Sequence, residues 1–112
     1  MLKSLFILAA LALPALAQAQ YNPCAKYANN KIYAGAIAQI ATHTRYTTEQ
    51  LCSHPRILDI YVDRKNINNP QRNYEPEMHL WVTLHYAENY SCQYFIRESD
   101  RQITRSNCYN TF

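Results

Sequence analysis

Glycine is nearly absent from this sequence, since Gly35 is the only one among 112 residues. Phosphate-cradling loops need several glycines, so nucleotide-binding loops of that kind are excluded. Serine-nucleophile motifs are missing as well. The sequence contains no C-x-x-C pair of the kind that binds zinc. Asparagine is abundant instead and tolerates positive φ, so we expect it to occupy the tight turns.

Long hydrophobic runs are also missing, apart from a short one at the N-terminus. Lys3 precedes an apolar stretch from Leu5 to Leu13, and Pro14 and small-residue cleavage sites follow. This pattern predicts a signal peptide over residues 1–19 and an exported, soluble domain over residues 20–112. The apolar stretch is too short to span a bilayer, so no membrane partner is expected.

The net charge of the sequence is small. Eleven Lys and Arg oppose eight Asp and Glu, and without Lys3 the balance is ten against eight. Such a small excess does not by itself indicate nucleic-acid binding. Ten tyrosines are more informative, because tyrosine suits a contact surface. Tyrosines that simply fill the edges of a small sheet are the alternative.

Four cysteines stand in a mature chain that is small enough to need covalent support. They are Cys24, Cys52, Cys92 and Cys108. In an oxidising compartment they predict two disulfides, with three possible pairings among which the spacing does not choose. No metal or cofactor is expected.

A helix is predicted from Cys24 to about Thr42, because apolar residues recur there at helical spacing after a possible Asn22–Pro23 cap. Thr47 and Gln50 have the spacing of a capping box, which predicts one further turn to Cys52. Strands follow at 56–63, 78–86 and 102–109, with another after a hairpin turn at 88–90. The polar stretch from Lys65 to Pro76 is predicted to be a long loop.

The predicted fold class is therefore α+β, with one main N-terminal helix packed on a three- to four-stranded antiparallel sheet and two disulfides. The central strand alternates strictly between apolar and polar residues. We expect the helix to cover the apolar face and the other face to be functional. The candidate binding residues on that face are His79, Trp81, Thr83, His85, Phe95, Arg97 and Arg105. In the alternative interpretation, the long loop or the C-terminal tail covers Trp81.

No catalytic residue is predicted. His79 and His85 lie six residues apart on one strand, roughly 20 Å at strand spacing, too far to act on one group. Glu75, Glu77 and Glu88 are predicted to lie in or beside turns as ordinary solvated carboxylates. An aromatic and cationic sheet face remains, of a composition that anchors protein interfaces or stacks on bases.

Tyr21-Asn22-Pro23-Cys24, a single helix, a run of strands and a cysteine close to the end, Cys108, form a recognisable order. In this order the chain resembles the ribonuclease-like secreted effectors of pathogenic fungi, which share the fold of small guanyl-specific ribonucleases. It departs from their tyrosine–one residue–cysteine pattern by having two intervening residues. The resemblance implies Cys24–Cys108 and Cys52–Cys92 pairing. It also implies a virulence protein that has lost catalysis and binds a host protein or RNA.

The resulting hypothesis is a secreted, monomeric, non-enzymatic effector that binds through the sheet face. A bacterial periplasmic or secreted inhibitor or immunity protein is the first alternative, because the signal peptide suits a bacterium equally well. An active small ribonuclease is the second. The central strand, as predicted, offers no glutamate base, which disfavours ribonuclease activity.

Overall fold

The main helix begins later than its apolar pattern predicts. The computed structural model describes residues 21–111, and the predicted signal peptide lies outside this range. Helix α1 spans Lys31–His43, and its cap is Asn30, whose side chain accepts a hydrogen bond from the Tyr33 amide. Asn30 is extended, which separates α1 from a short 3₁₀ turn at Ala25–Tyr27. The alanine-rich pattern runs through this break because an asparagine cap interrupts the helix without changing the spacing.

The second helix follows the predicted capping box. Helix α2 spans Thr48–Cys52, and the Thr47 side chain accepts from the Gln50 amide while the Gln50 side chain accepts from the Thr47 amide. Two otherwise unpaired amides are satisfied in this way at the start of one helical turn.

The sheet has four antiparallel strands in sequence order. They are β1 (Ile57–Asn69), β2 (Glu75–Tyr86), β3 (Tyr90–Arg97) and β4 (Ile103–Asn110). This architecture confirms the predicted α+β class. The β2–β3 turn is Ala87–Asn89, one residue earlier than predicted, and Asn89 adopts positive φ as expected of asparagine.

The predicted loop from Lys65 to Pro76 is wrong. Residues 65–69 continue β1, and β2 already begins at Glu75, so only a 3₁₀ turn at Pro70–Arg72 and two left-handed residues connect the strands. Backbone pairing with β2 continues through Asn69. Propensity misses this segment because all its side chains but Ile67 are polar and most are exposed, while the strand is stabilised by backbone hydrogen bonds.

The core lies between α1 and one face of the sheet. Ile37 and Ile40 of α1 are fully buried together with Leu80, Val82 and Leu84 of β2. The adjacent β3 contributes Cys92, Tyr94 and Ile96 to the same face, as predicted. The apolar face of the central strand is therefore the covered one.

Both disulfides close short loops. Cys24 is joined to Cys52, and Cys92 is joined to Cys108. The pairing implied by the family resemblance, Cys24–Cys108 with Cys52–Cys92, is therefore wrong. Strand register decides the second bridge, because Cys92 and Cys108 stand directly opposite each other on β3 and β4. The first bridge attaches the N-terminal turn to the end of α2.

Candidate binding face

The sheet surface opposite α1, here called the outer face, gathers the predicted binding residues. Strand pairing places His79 opposite Arg97, and Trp81 opposite Phe95. Phe95 in turn stands opposite Arg105 on β4. Thr83 and His85 continue the same face toward the β2–β3 turn, opposite Gln93 and Ser91. These side chains therefore lie on one face, because paired residues in an antiparallel sheet share a face.

An aromatic pair with a cation at each end crosses the middle of the outer face. The Trp81 and Phe95 rings meet edge to face with centroids 5.1 Å apart. The Lys65 ammonium lies 4.2 Å from the Trp81 ring centre, and the Arg105 guanidinium lies 5.4 Å from that of Phe95. We call these four residues, one from each strand, the aromatic row. Lys65 escaped the sequence prediction because it was assigned to a loop.

Water reaches most of this face. Trp81, Thr83, His85, Phe95 and Arg97 are half-buried and Arg105 is exposed, so none of these side chains is sealed inside the protein. The 65–69 segment is paired into the sheet, so it does not fold over Trp81 as a loop.

The Trp81 indole nitrogen is an exception to this accessibility. Its Nε1 atom is buried and has no hydrogen-bond partner within residues 21–111. An unpaired buried donor costs on the order of 1–3 kcal/mol, so the burial of this N–H lowers the stability of the folded state.

Glu77 was predicted to be a solvated carboxylate beside a turn, and this is wrong. It lies within β2 on the outer face, two residues from His79, because the strand starts earlier than its apolar alternation indicates. Its side chain is only 12% exposed. The view that the central strand lacks a glutamate is corrected with it.

Both oxygens of the Glu77 carboxylate have partners. Oε1 accepts a hydrogen bond from the Asn69 side chain at 2.8 Å and lies 3.5 Å from Arg72. Oε2 lies 2.7 Å from Arg97 Nε, an ionic contact in which the N–H is not well directed at the oxygen. The Asn69 hydrogen bond, opposed by partial burial and reinforced by Arg97 and Arg72, lowers the pKa of Glu77.

The two histidines of the outer face differ in burial and in partners. His79 is 5% exposed, and its Nδ1 lies 2.9 Å from the backbone carbonyl of Glu77. A carbonyl oxygen only accepts, so His79 Nδ1 carries a proton. His85 Nδ1 lies 3.1 Å from the Ser91 hydroxyl. Each imidazole therefore contacts its own neighbour, and the two histidines do not form a shared site.

A pocket of about 350 Å³ opens on the outer face beside the aromatic row. It lies where the far part of the β1–β2 hairpin meets β3 and β4. His79, Phe95, Arg97 and Arg105 line it, as do Glu77 and polar residues of the hairpin. Four of the seven predicted binding residues thus share one concavity, whereas Trp81, Thr83 and His85 lie on the open surface beyond it.

Within residues 21–111, no cluster of three or more His, Cys, Asp or Glu side chains has a geometry suited to a metal ion. No helix in the same range is long and apolar enough to cross a membrane. Comparisons with protein-family models, curated proteins and solved structures found no match.

Proposed function

We propose that this chain is an exported, non-enzymatic protein that binds a partner protein through the outer face of its sheet. The observation that carries the proposal is the aromatic row, in which half-buried Trp81 and Phe95 lie between Lys65 and Arg105 on a surface that no helix of the described chain covers. Aromatic and arginine side chains dominate the energetics of protein interfaces. Held rings also lose little conformational entropy on binding.

Export is supported by the signal-like N-terminal sequence and by the two disulfides. Disulfides form and persist mainly in extracellular and periplasmic compartments. A secreted effector acting on a host protein and a bacterial inhibitor acting on a bacterial protein would present the same kind of face.

A protein partner fits the charges of the face better than RNA does. Asp63 and Glu77 accompany Lys65, Arg97 and Arg105 on the outer face, so both signs alternate over a short distance. Phosphate backbones favour surfaces of one positive sign. The cations of the aromatic row also lie over the rings on which bases would have to stack.

A small secreted ribonuclease is the second candidate, and one observation favours it. Glu77, His79 and Arg97 line the same pocket, and a carboxylate, an imidazole and a guanidinium together can support phosphodiester cleavage. Against this candidate, both Glu77 oxygens already have partners and its pKa is lowered, which weakens it as a proton acceptor.

The test is capture of partners with the purified protein and two variants of the aromatic row, Trp81→Ala and Lys65→Gln. Matched controls are Tyr46→Ala, an exposed aromatic residue that contacts His54, and Lys31→Gln at the start of α1. We expect one protein to be retained by the wild type and both controls and lost by both row variants. A partner retained by all five proteins would contradict the proposal.

Extract source and RNA turnover separate the functional classes. Capture from a host-plant extract supports an effector, whereas capture from a bacterial lysate supports an inhibitor or immunity protein. RNA cleavage that disappears in Glu77→Gln and in His79→Ala would establish the ribonuclease instead and refute the non-enzymatic assignment.

A further inference from the structure

The pocket beside the aromatic row has an unbalanced charge. Arg97 and Arg105 line it together with a single acid, Glu77. Arg97 is already neutralised, because it contacts Glu77 at 2.7 Å and Asp100 at 2.8 Å. Arg105, in contrast, has no carboxylate within 4 Å in the described part of the chain. One positive charge of the pocket is therefore left without an internal counter-ion.

The guanidinium of Arg105 is also held in position. It lies over the Phe95 ring, and Phe95 is itself packed against Trp81. A planar guanidinium kept at a fixed site loses less entropy on pairing with a carboxylate than a mobile one, and it can donate two parallel hydrogen bonds. Asn68 and Gln71 of the hairpin add amide side chains to the same lining.

We propose that this pocket receives one carboxylate group of the partner protein, with Arg105 as its counter-ion and the Phe95 ring beside it. This inference rests on the proposed function, since it names the chemistry that the outer face recognises. A net lining charge of one favours a monoanion over a phosphate dianion. A volume of about 350 Å³ is near the lower end of ligand pockets, which suits a single side chain or chain terminus.

The test titrates the purified protein with small probes and follows its amide resonances by NMR. N-acetyl-glutamic acid α-amide represents an acidic side chain, and N-acetyl-leucine represents a C-terminal carboxylate. N-acetyl-glutaminamide is the neutral isostere, and inorganic phosphate is the dianionic probe. We expect a carboxylate probe to bind weakly, with Kd of about 1–10 mM, and to shift the amides of Phe95 and Arg105.

Variants decide whether Arg105 is responsible. Arg105→Gln should weaken carboxylate binding at least tenfold, and Arg105→Lys should retain part of it. The matched control is Arg56→Gln, which removes the same charge from an exposed arginine paired with Glu88, beside the β2–β3 turn. It should bind as the wild type does. Thermal unfolding of each variant verifies that the fold is intact.

Several results would overturn the inference: no carboxylate binding at 50 mM, equal binding of the neutral isostere, tighter binding of phosphate, or indifference to Arg105→Gln. Which carboxylate probe binds more tightly distinguishes a side chain from a chain terminus. A captured partner that needs Trp81 but not Arg105 would leave the proposed function intact and remove only the role of the pocket. A partner indifferent to both residues would refute both.

Discussion

Asp59 should contribute measurably to stability, because its carboxylate attaches the N-terminal segment to β1. Its Oδ1 atom accepts from the Tyr21 hydroxyl at 2.9 Å and from the Lys26 ammonium at 2.7 Å. The amide of Ile60 donates to the same oxygen at 2.9 Å. Replacing Asp59 with Asn removes the charge but keeps an oxygen acceptor of similar size, so the change isolates the ionic part.

The magnitude follows from the pKa of this carboxyl group. Burial opposes ionisation of Asp59, but hydrogen bonds from Lys26, from two tyrosine hydroxyls and from a backbone amide outweigh it and lower the pKa from 3.8 to about 2. That difference corresponds to at most about 2.4 kcal/mol at neutral pH. Lys26 is 39% exposed, so solvent screens the pair, and we expect a loss of about 1–2 kcal/mol.

The pH dependence has a defined sign. A carboxyl group whose pKa is lowered by folding stabilises the folded state fully above its unfolded value of 3.8, and this stabilisation disappears as the pH falls through about 2. Urea unfolding followed by circular dichroism should therefore give the wild type a larger free energy of unfolding than Asp59→Asn at pH 7. This difference in free energy of unfolding should disappear between pH 4 and pH 2. The other carboxylates titrate alike in the two proteins, so their contributions cancel in the difference.

A double-mutant cycle supplies the control. Lys26→Met removes the same ion pair from the other side, so the double variant with Asp59→Asn should lose less than the sum of the single losses, by about 1 kcal/mol. A gap that stays constant from pH 7 to pH 2, or single losses that simply add, would refute the reasoning about this carboxylate.

Three further outcomes are expected. The double variant Cys92→Ala/Cys108→Ala opens a bridge with a sequence separation of 16 and should lose about 3 kcal/mol in urea unfolding; a non-reducing peptide map of the wild type that lacks this bridge would contradict the assigned pairing. Trp81→Phe should have a free energy of unfolding within about 1 kcal/mol of the wild type, because it removes an N–H that has no partner within residues 21–111 and keeps a ring. Trp81→Ala should lose about 2–3 kcal/mol, because the ring is removed as well. Equal losses for the two variants would show that the indole N–H is satisfied. Tyr74→Gly should raise stability by about 1 kcal/mol, because exposed Tyr74 has φ of 57°; a lower melting temperature would show that the ring contributes more than the strained backbone costs.

Local patterns predicted the elements whose determinants lie within a few residues. The alternation around Trp81 assigned the side chains of β2 to their faces, and the Thr47–Gln50 spacing located α2. The observed end of α1 at His43 lies within one residue of the predicted end at about Thr42. The capping contacts of α1 and α2 are made between neighbours in the chain, and the period of the apolar residues in β2 encodes which side is buried, so the sequence contains these signals.

The candidate site was only partly predictable for the opposite reason. Lys65 and Glu77 contribute to the face and its pocket, yet both lie in strand extensions that have no apolar alternation. Those extensions exist because two distant polar segments pair through their backbones. The pattern of side chains in the sequence does not indicate that pairing, so both residues were assigned to turns or loops.

By itself the sequence determined the α+β class, the helix-covered face of the sheet and, apart from Lys65, the aromatic and cationic side chains opposite it, because the period of apolar residues encodes burial directly. The tertiary structure alone decided which cysteines pair, how far β1 and β2 extend, and that Arg105 has no counter-ion within residues 21–111 while Arg97 is neutralised. These outcomes depend on strand register and on distances between residues far apart in the chain, which composition and spacing do not encode.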